Sequence, residues 1–311
     1  MPASLPFKMR LPVIAAPMFL ISGPELVIAA CKAGIGGAFP TPNCRTAAEL
    51  DACMGQITDA LAPSDGPWAA NLITHSTNKG LADDLALIAQ YRPPVVITAL
   101  GSPKPVMETV KAYGGLVFAD VTSLGLARKA ADAGVDGMAC ISAGAGGHTG
   151  HLSPFAFISA VRQFFDGYIA VGGGIADGAG VAGAIAAGAD FVYMGTRFLA
   201  ASESRAQDAY KDMVVSSGPD DLIVSNAITG TNASWLKPSL IAAGLDPDAL
   251  TAPTARDYNS GSAQKRWKDL WAAGQGLQTI DSVMPTSQIV ARLEAEYRDA
   301  AGRFTALTAR A

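Results

Sequence analysis

Residues 172–198 read Gly-Gly-Gly-Ile-Ala-Asp-Gly-Ala-Gly-Val-Ala-Gly-Ala-Ile-Ala-Ala-Gly-Ala-Asp-Phe-Val-Tyr-Met-Gly-Thr-Arg-Phe. This stretch decides the fold, because it shows two buried strands with a helix between them. The first strand, 169–171, runs into three glycines, and the second, 191–194, runs into Gly-Thr. Gly188 stands where the intervening helix should end, and glycine is the residue most often found there. Two strands joined through a helix are parallel neighbours in one sheet.

The same unit recurs along most of the chain. Short apolar runs without alternation, the pattern of strands buried on both faces, are separated by amphipathic helical stretches. Ala-Gly-Ile-Gly at 33–36 and Ala-Gly-Val-Asp at 133–136 repeat the helix-ending glycine. Eight consecutive units predict an α/β fold, a closed (β/α)₈ TIM barrel. The predicted strands are 12–16, 36–39, 68–72, 95–98, 116–120, 137–141, 169–171 and 191–194.

This rhythm stops after residue 217. Residues 218–275 contain four prolines and a polar loop, which predicts a smaller segment inserted after strand eight that caps the barrel. An amphipathic pattern over 285–301 then predicts a closing helix. We therefore divide the chain into a barrel at 1–217, a capping segment at 218–275 and a closing part at 276–311.

Composition excludes several classes of function. The chain has 311 residues, of which half are apolar, and a net charge of -4 with dispersed Lys and Arg, so we expect no nucleic-acid partner. No uninterrupted apolar run is long enough to span a bilayer, so we expect no membrane association. The four cysteines lack C-x-x-C spacing and have no nearby His, which predicts no metal site and the reduced thiols of a cytoplasmic protein.

The strand ends are the first place to look for a ligand, because a βα-barrel binds at the carboxyl ends of its strands. After the last two strands this rule selects Gly173, Gly174, Gly195 and Thr196, whose bare N–H groups and hydroxyl suit a phosphate. The alternative interpretation is that the glycines only make tight turns. Two such ends on the last two strands match the usual phosphate position of the fold, so we predict a phosphate site.

A histidine loop follows predicted strand six, with the sequence Ala145-Gly-Gly-His-Thr-Gly-His151. Its glycines predict a flexible backbone that brings the imidazole of His148 to a ligand, where it can accept a proton or pair with an anion. We predict that His148 is catalytic, against the alternative of a solvated loop residue. His151 adjoins the next helix and is a weaker candidate for a substrate contact.

Two polar residues end other strands. The carboxamide of Asn71 can donate and accept at once, as the pyrimidine edge of a flavin requires, although an Asx turn would use the same group. Asp120 either accepts a hydrogen bond from a ligand or caps the helix that begins near Ser123, and both roles stay open.

The same rule selects smaller and softer groups. Met18 and Met194 offer polarizable surfaces that suit a flat ring, with ordinary core packing as the alternative for either. Gln275, in Ala-Ala-Gly-Gln-Gly, is expected to close the site over the substrate from the capping segment. The remaining candidates for cofactor contacts are Ala16 and Pro17 after strand one and Gly146 in the histidine loop.

These motifs resemble the FMN-dependent nitronate monooxygenases, formerly called 2-nitropropane dioxygenases. The resemblance covers nearly the whole chain, from Leu11-Pro-Val-Ile-Ala-Ala-Pro-Met18 through Ala145-Gly-Gly-His-Thr-Gly150 and Met194-Gly-Thr-Arg-Phe198 to Trp271-Ala-Ala-Gly-Gln-Gly276. It implies a TIM barrel that holds non-covalent FMN with the histidine beside the flavin.

The chain departs from that family at one motif. Better-characterised members commonly read Gln-Gly-x-Glu-Ala-Gly-Gly-His, whereas this chain reads Ile141-Ser-Ala-Gly-Ala-Gly-Gly-His148 and lacks the Gln and the Glu. Together with the sequence around 239–248, this indicates a divergent subgroup. The resemblance therefore carries over fold and cofactor more safely than substrate.

The resemblance implies oxidation of an alkyl nitronate or nitroalkane by O₂ through FMN, giving a carbonyl compound and nitrite. The partners would be a small-molecule substrate and O₂, and the sequence leaves the oligomeric state open. The main alternative is an NAD(P)H-dependent flavin reductase acting on a quinone or an enoyl thioester. Two others are a metal-free phosphosugar isomerase or lyase with Asp120 as its base, and a non-catalytic flavin-binding protein.

Overall fold

A computed structural model describes residues 2, 4–251 and 267–309. Eight parallel strands close into a barrel in the order β1-β2-β3-β4-β5-β6-β8-β9, and β9 pairs back onto β1 with Tyr193 opposite Ile14. The predicted (β/α)₈ barrel is therefore confirmed. The strands are β1 Val13–Ala15, β2 Gly36–Pro40, β3 Trp68–Ile73, β4 Val95–Ala99, β5 Leu116–Val121, β6 Gly137–Ile141, β7 Gly147–His148, β8 Tyr168–Gly172, β9 Phe191–Met194, β10 Leu222–Ser225 and β11 Ala233–Leu236.

Helices follow the barrel strands and pack around them. Several begin at side-chain caps, as where Ser123 and Asp177 accept the N–H of Leu126 and of Gly180. The glycine after α1 has φ +88° and the one after α7 has φ +103°, which is why glycine punctuates these helix ends. The helices are α1 Pro24–Lys32, α2 Ala47–Ala60, α3 Leu81–Tyr91, α4 Lys104–Ala112, α5 Leu124–Asp132, α6 Pro154–Arg162, α7 Gly178–Ala186, α8 Thr196–Leu199, α9 Asp208–Ser216, α10 Lys237–Ala242 and α11 Thr286–Thr308, with 3₁₀ turns at Thr41–Asn43, Pro219–Asp221, Pro247–Ala249 and Gln275–Thr279.

Alternate side chains on the strands build two cores. Those facing out pack against the helices, and α11 packs against α7 and α1. Those facing the barrel axis form an inner cluster of mostly small or aromatic residues. The inner cluster comprises Ile14, Ala16, Ala38, Ala69, Val95, Ile97, Phe118, Ala139, Ala170, Phe191 and Tyr193.

A three-stranded antiparallel sheet, β10-β11-β7, forms outside the barrel. Its strand β7 is the middle of the histidine loop, where His148 pairs with Ala233 and Gly147 with Ser234. The loop is therefore less free than its glycines suggest, because residues from the predicted capping segment hold it by backbone hydrogen bonds. The division into barrel, capping segment and closing part stays a prediction.

Two further features concern the described residues only. No helix among them is long and apolar enough to cross a membrane. They also contain no group of three or more His, Cys, Asp or Glu side chains that could hold a metal ion.

Candidate active site

Three polar side chains meet at the carboxyl end of the barrel. The carboxamide of Asn71, on β3, donates to the carbonyl of Ile97 at 3.1 Å and, at 3.5 Å, to Oδ2 of Asp120 on β5. The hydroxyl of Tyr193, on β9, faces the same carboxyl closely enough to perturb its pKa. Asp120 therefore lies on the barrel axis, whereas Ser123 itself accepts the N–H of Leu126 as the N-cap of α5.

Burial raises the pKa of Asp120 to about 7, and the neighbouring Tyr193 hydroxyl and Asn71 carboxamide oppose that rise. Within the described residues, Oδ1 of Asp120 and the Tyr193 hydroxyl are buried without a hydrogen-bond partner. Sequence reasoning missed Tyr193. The period of two along β9 puts Phe191 and Tyr193 on one face, but because all four residues are apolar or aromatic it does not say which face is inward.

The two glycine ends lie on adjacent strands, β8 and β9. Gly173 has φ +142° and Gly174 has φ +68°, conformations that side chains rarely adopt. The N–H of Gly174 donates to the carbonyl of Gly144 at 3.0 Å, so the protein itself uses it. By contrast, the N–H groups of Gly173 and Gly195 have no acceptor among the described residues.

Gly195 is the position where the fit to a ligand can be judged. Its φ of -100° is open to any residue, and a β-carbon there would meet nothing nearer than Met18 Sδ at 3.6 Å. Neither conformation nor packing therefore requires glycine at 195. A ligand that approaches the backbone closely does explain it, as a phosphate beside the N–H groups of Gly195 and Thr196 would.

The end of β1 lies beside Gly195. Ala16 is buried and Met18 half-buried, and the N–H of Met18 donates to Ser22 Oγ at 2.9 Å. Asn43 holds the same turn by donating to the carbonyl of Met18 at 3.1 Å. Pro17 lies between the two predicted contacts and is half-buried.

Met194 does not present its side chain to the site. It is buried among the outward-facing residues that pack against the helices. The alternative that this side chain is ordinary core therefore holds, because residues 191 and 193 take the inward face of β9, and a cofactor contact at Met194 stays a prediction. Only the backbone of Met194 faces the neighbouring strand β1.

His148 is exposed on β7, and its ring lies edge-on to Trp267 with centroids 5.2 Å apart. Trp267 in turn stacks on the buried Trp235 at 4.6 Å. The adjacent Thr149 is buried and donates to the carbonyl of Ser142 at 3.0 Å, which anchors the loop. His151 is exposed just before α6.

Backbone hydrogen bonds and close glycine contacts join the histidine loop and the start of α8 to residues 273–275. The carbonyl of Gly144 accepts the N–H of Gln275 at 2.9 Å, and Thr196 Oγ1 accepts the N–H of Gly274 at 2.9 Å. Oε1 of the exposed Gln275 lies 2.8 Å from where a β-carbon on Gly144 would stand. Gln275 thus covers the position at which the family motif has its Glu, and Gly146 packs directly against Gly274.

The closed parallel barrel, its glycine-ended last strands and the histidine loop on the same face place the chain among (β/α)₈-barrel proteins with a candidate ligand site at the carboxyl ends of the strands. The chain belongs to the nitronate monooxygenase family, whose model matches residues 4–296. The resemblance inferred from the motifs is therefore confirmed at the level of the family.

Two relatives show the range of that similarity. A nitronate monooxygenase of Metarhizium robertsii is 30% identical over 297 residues, which cover 86% of this chain and 80% of the relative. The (3aS,4S,5R,7aS)-5-hydroxy-7a-methyl-1-oxo-octahydro-1H-indene-4-carboxyl-CoA dehydrogenase of Rhodococcus jostii is 30% identical over 230 residues, or 74% of this chain. The chain spans only 64% of the length of that dehydrogenase.

Among solved structures, the fold is similar to that of a nitroalkane oxidase from Streptomyces ansochromogenes. The TM-score is 0.77 at 22% sequence identity, and the match covers 96% of this chain and 98% of the other. At this identity the likeness shows the fold.

Proposed function

We propose that the chain oxidises alkyl nitronates, or the parent nitroalkanes, with O₂ by means of FMN, giving a carbonyl compound and nitrite. The observation that supports this most is the match of the nitronate monooxygenase model over residues 4–296. The reaction needs a small-molecule substrate and O₂ as its partners.

The N–H groups of Gly173, Gly195 and Thr196 would hold the phosphate of FMN, with the Thr196 hydroxyl as a further donor. We assign Gly174 a steric role, because its N–H is bonded to Gly144. The ring would lie over the inner cluster, and FMN supplies two-electron redox chemistry when bound. The candidates to line the ring are Ala16, Pro17, Met18, Asn71, Asp120 and Gly146.

His148 would bind the anionic substrate and stabilise its charge. A nitronate is already a carbanion equivalent, so the reaction needs no strong general base, and a neutral nitroalkane requires only a weak one. The β7–β11 pairing supports this role, since it fixes the backbone of His148 at the barrel's carboxyl end. Gln275 and His151 are the proposed further contacts to the substrate.

Two measurements test the proposal. The purified protein, or the protein after addition of FMN and gel filtration, should be yellow with a flavin absorbance band. Under anaerobic conditions the flavin should be bleached by an alkyl nitronate. A colourless protein that takes up no FMN would overturn the cofactor, and a flavin unchanged by nitronate would overturn the reaction.

The second candidate is an NAD(P)H-dependent flavin reductase that acts on a quinone or an enoyl thioester. The similarity to a carboxyl-CoA dehydrogenase favours it, because that relative acts on a CoA thioester. The same anaerobic experiment separates the two functions. Bleaching by NADH or NADPH but not by nitronate, followed by reoxidation with a quinone or an enoyl thioester, would favour the reductase.

A further inference from the structure

The polar cluster at the carboxyl end of the barrel joins strands that are not neighbours. Asn71, Asp120 and Tyr193 come from β3, β5 and β9, which hold the third, fifth and eighth places around the barrel. Side chains from such strands can meet only near the barrel axis. Oδ1 of Asp120 and the Tyr193 hydroxyl are buried there without a hydrogen-bond partner among the described residues. Buried polar atoms in this state are costly and call for an explanation.

We propose that Asp120 and Tyr193, assisted by Asn71, hold an exchangeable proton against the redox ring of the bound cofactor, and that Asp120 takes up this proton when the ring gains negative charge. The inference rests on the proposed function, because it requires a redox cofactor at the carboxyl end of the barrel.

The surroundings of Asp120 make it sensitive to such a charge. Burial, Tyr193 and Asn71 set its pKa of about 7, and no charged group of the described residues contributes. The flanking strands β4 and β6 contribute the apolar side chains of Ile97 and Ala139 to the inner cluster, and among the described residues Tyr193 is the titratable group that acts on Asp120. A charge that appears nearby in so apolar a place acts with little screening.

The proton and electron count is simple. FMN would supply two-electron redox chemistry when bound, and its reduction with uptake of one proton would place one negative charge beside Asp120. The carboxylate of Asp120 then takes a second proton from solvent and becomes a neutral acid that can donate a hydrogen bond to the ring. Once that charge is removed by reoxidation with O₂, Asp120 would release the proton again. Below about pH 7 Asp120 already carries its proton, so no extra uptake occurs there.

The midpoint potential of the FMN-loaded protein, measured against pH, tests this. Each proton bound per two electrons adds about 30 mV per pH unit to the slope. Above about pH 7 we expect the wild-type slope to exceed that of Asp120→Asn by this amount, and below it the two slopes should agree. Asp84→Asn is the matched control, because the carboxyl of Asp84 also has a raised pKa but bonds Thr41 outside the barrel axis. The slope of the midpoint potential of Asp84→Asn against pH should equal that of the wild type.

Tyr193→Phe provides an independent arm. The Tyr193 hydroxyl lowers the pKa of Asp120, so its removal should raise that pKa. The pH above which the slope of the midpoint potential exceeds that of Asp120→Asn should therefore be higher in Tyr193→Phe than in the wild type. A purely structural role for the pair would leave that point unmoved. If Asp120→Asn does not bind FMN, the Tyr193→Phe measurement alone tests the proposed role of Asp120.

The infrared spectrum of the FMN-free protein separates this inference from the proposed function. A carbonyl band of a protonated carboxylic acid should titrate near pH 7 and be missing in Asp120→Asn. Absence of the band overturns the inference. A protein that shows the band but binds no FMN overturns the proposed function and with it the role of the proton. An FMN-binding protein with equal slopes in wild type and Asp120→Asn overturns the inference alone.

Discussion

A β-carbon on Gly146 would lie 2.7 Å from the backbone nitrogen of Gly274, and one on Gly274 would lie 2.8 Å from the nitrogen of Gly146. The two backbones thus touch where the histidine loop meets the end of the predicted capping segment. The obstructing atoms are backbone, so no side-chain rotation can relieve a larger residue. His148 is two residues from this contact.

We expect Gly146→Ala and Gly274→Ala each to lower the free energy of unfolding by about 1–3 kcal/mol, because each forces two backbones apart. The double variant should cost less than the sum, since both changes strain one contact. Urea denaturation of the four proteins measures this. Gly183→Ala on α7 is the control, because its β-carbon would meet only Phe155 at 3.9 Å, and it should be neutral or stabilising. The close contact would be contradicted if the losses in unfolding free energy were additive in the double variant. It would also be contradicted if each loss were no larger than that of Gly183→Ala.

Gly195→Ala should keep the fold and lose cofactor. The space beside Gly195 accommodates a methyl group within the protein, but that methyl would stand where we place the phosphate. We expect the melting temperature without FMN to stay near that of the wild type and the Kd for FMN to rise roughly tenfold or more, equivalent to about 1.4 kcal/mol. Fluorescence titration measures the Kd. An unchanged Kd for FMN in Gly195→Ala would mean that the phosphate does not bind at this strand end.

The sequence predicts the barrel well and the interior of the site less well, for one physical reason. Strands buried on both faces are apolar throughout, so periodicity locates β9 without saying which of its residues face inward. Tyr193 was missed in this way, and the same ambiguity left Met194 open between a ring contact and the outer core, where its side chain lies. Glycines, in contrast, mark strand ends by conformation, as the positive φ of Gly173 and Gly174 illustrates.

The fixed position of the histidine loop could also not be predicted from the residues of the loop itself. Gly147 and His148 become a strand only through pairing with Ala233 and Ser234, which lie far along the chain. The glycines of the loop indicate flexibility when taken alone. The contact between Gly146 and Gly274 depends on tertiary distance in the same way.

His148→Asn should retain FMN and lower turnover by roughly 10²-fold or more, as expected for loss of a positioned electrostatic or acid–base group. FMN should stay bound because its phosphate is assigned to backbone N–H groups on β8 and β9. His151→Asn should do less, since His151 adjoins α6 and lies outside the β7–β11 pairing that holds His148. Steady-state kinetics and FMN titration on both variants test this. Normal turnover in His148→Asn with an inactive His151→Asn would exchange the two roles.

Cys44 should be the first thiol to react. A hydrogen bond from Cys53 lowers the pKa of Cys44, against the effect of its partial burial, and Arg205 assists. Burial raises the pKa of Cys31 and of Cys140 to about 12, so these remain thiols near neutral pH. With a chromogenic aromatic disulfide reagent we expect one fast equivalent that disappears in Cys44→Ser. A fast phase that survives this substitution would assign it to another cysteine.

Asp120→Asn should change how stability depends on pH. Burial raises the pKa of Asp120 from 3.8 in the unfolded chain to about 7 in the folded protein. Stability contributed by the protonated carboxyl is therefore fully present below about pH 4 and is lost as the pH rises through about 7. Asparagine does not ionise, so the variant should gain on the wild type across this interval, by at most about 4 kcal/mol for a shift of about three pH units. Urea denaturation of the FMN-free proteins between about pH 5 and about pH 8 measures the difference, since bound FMN would add stability of its own. A difference that stays constant over this range would mean that Asp120 is already ionised in the folded protein at the lower pH, and its carboxyl would then have to be reached by water or by a cation.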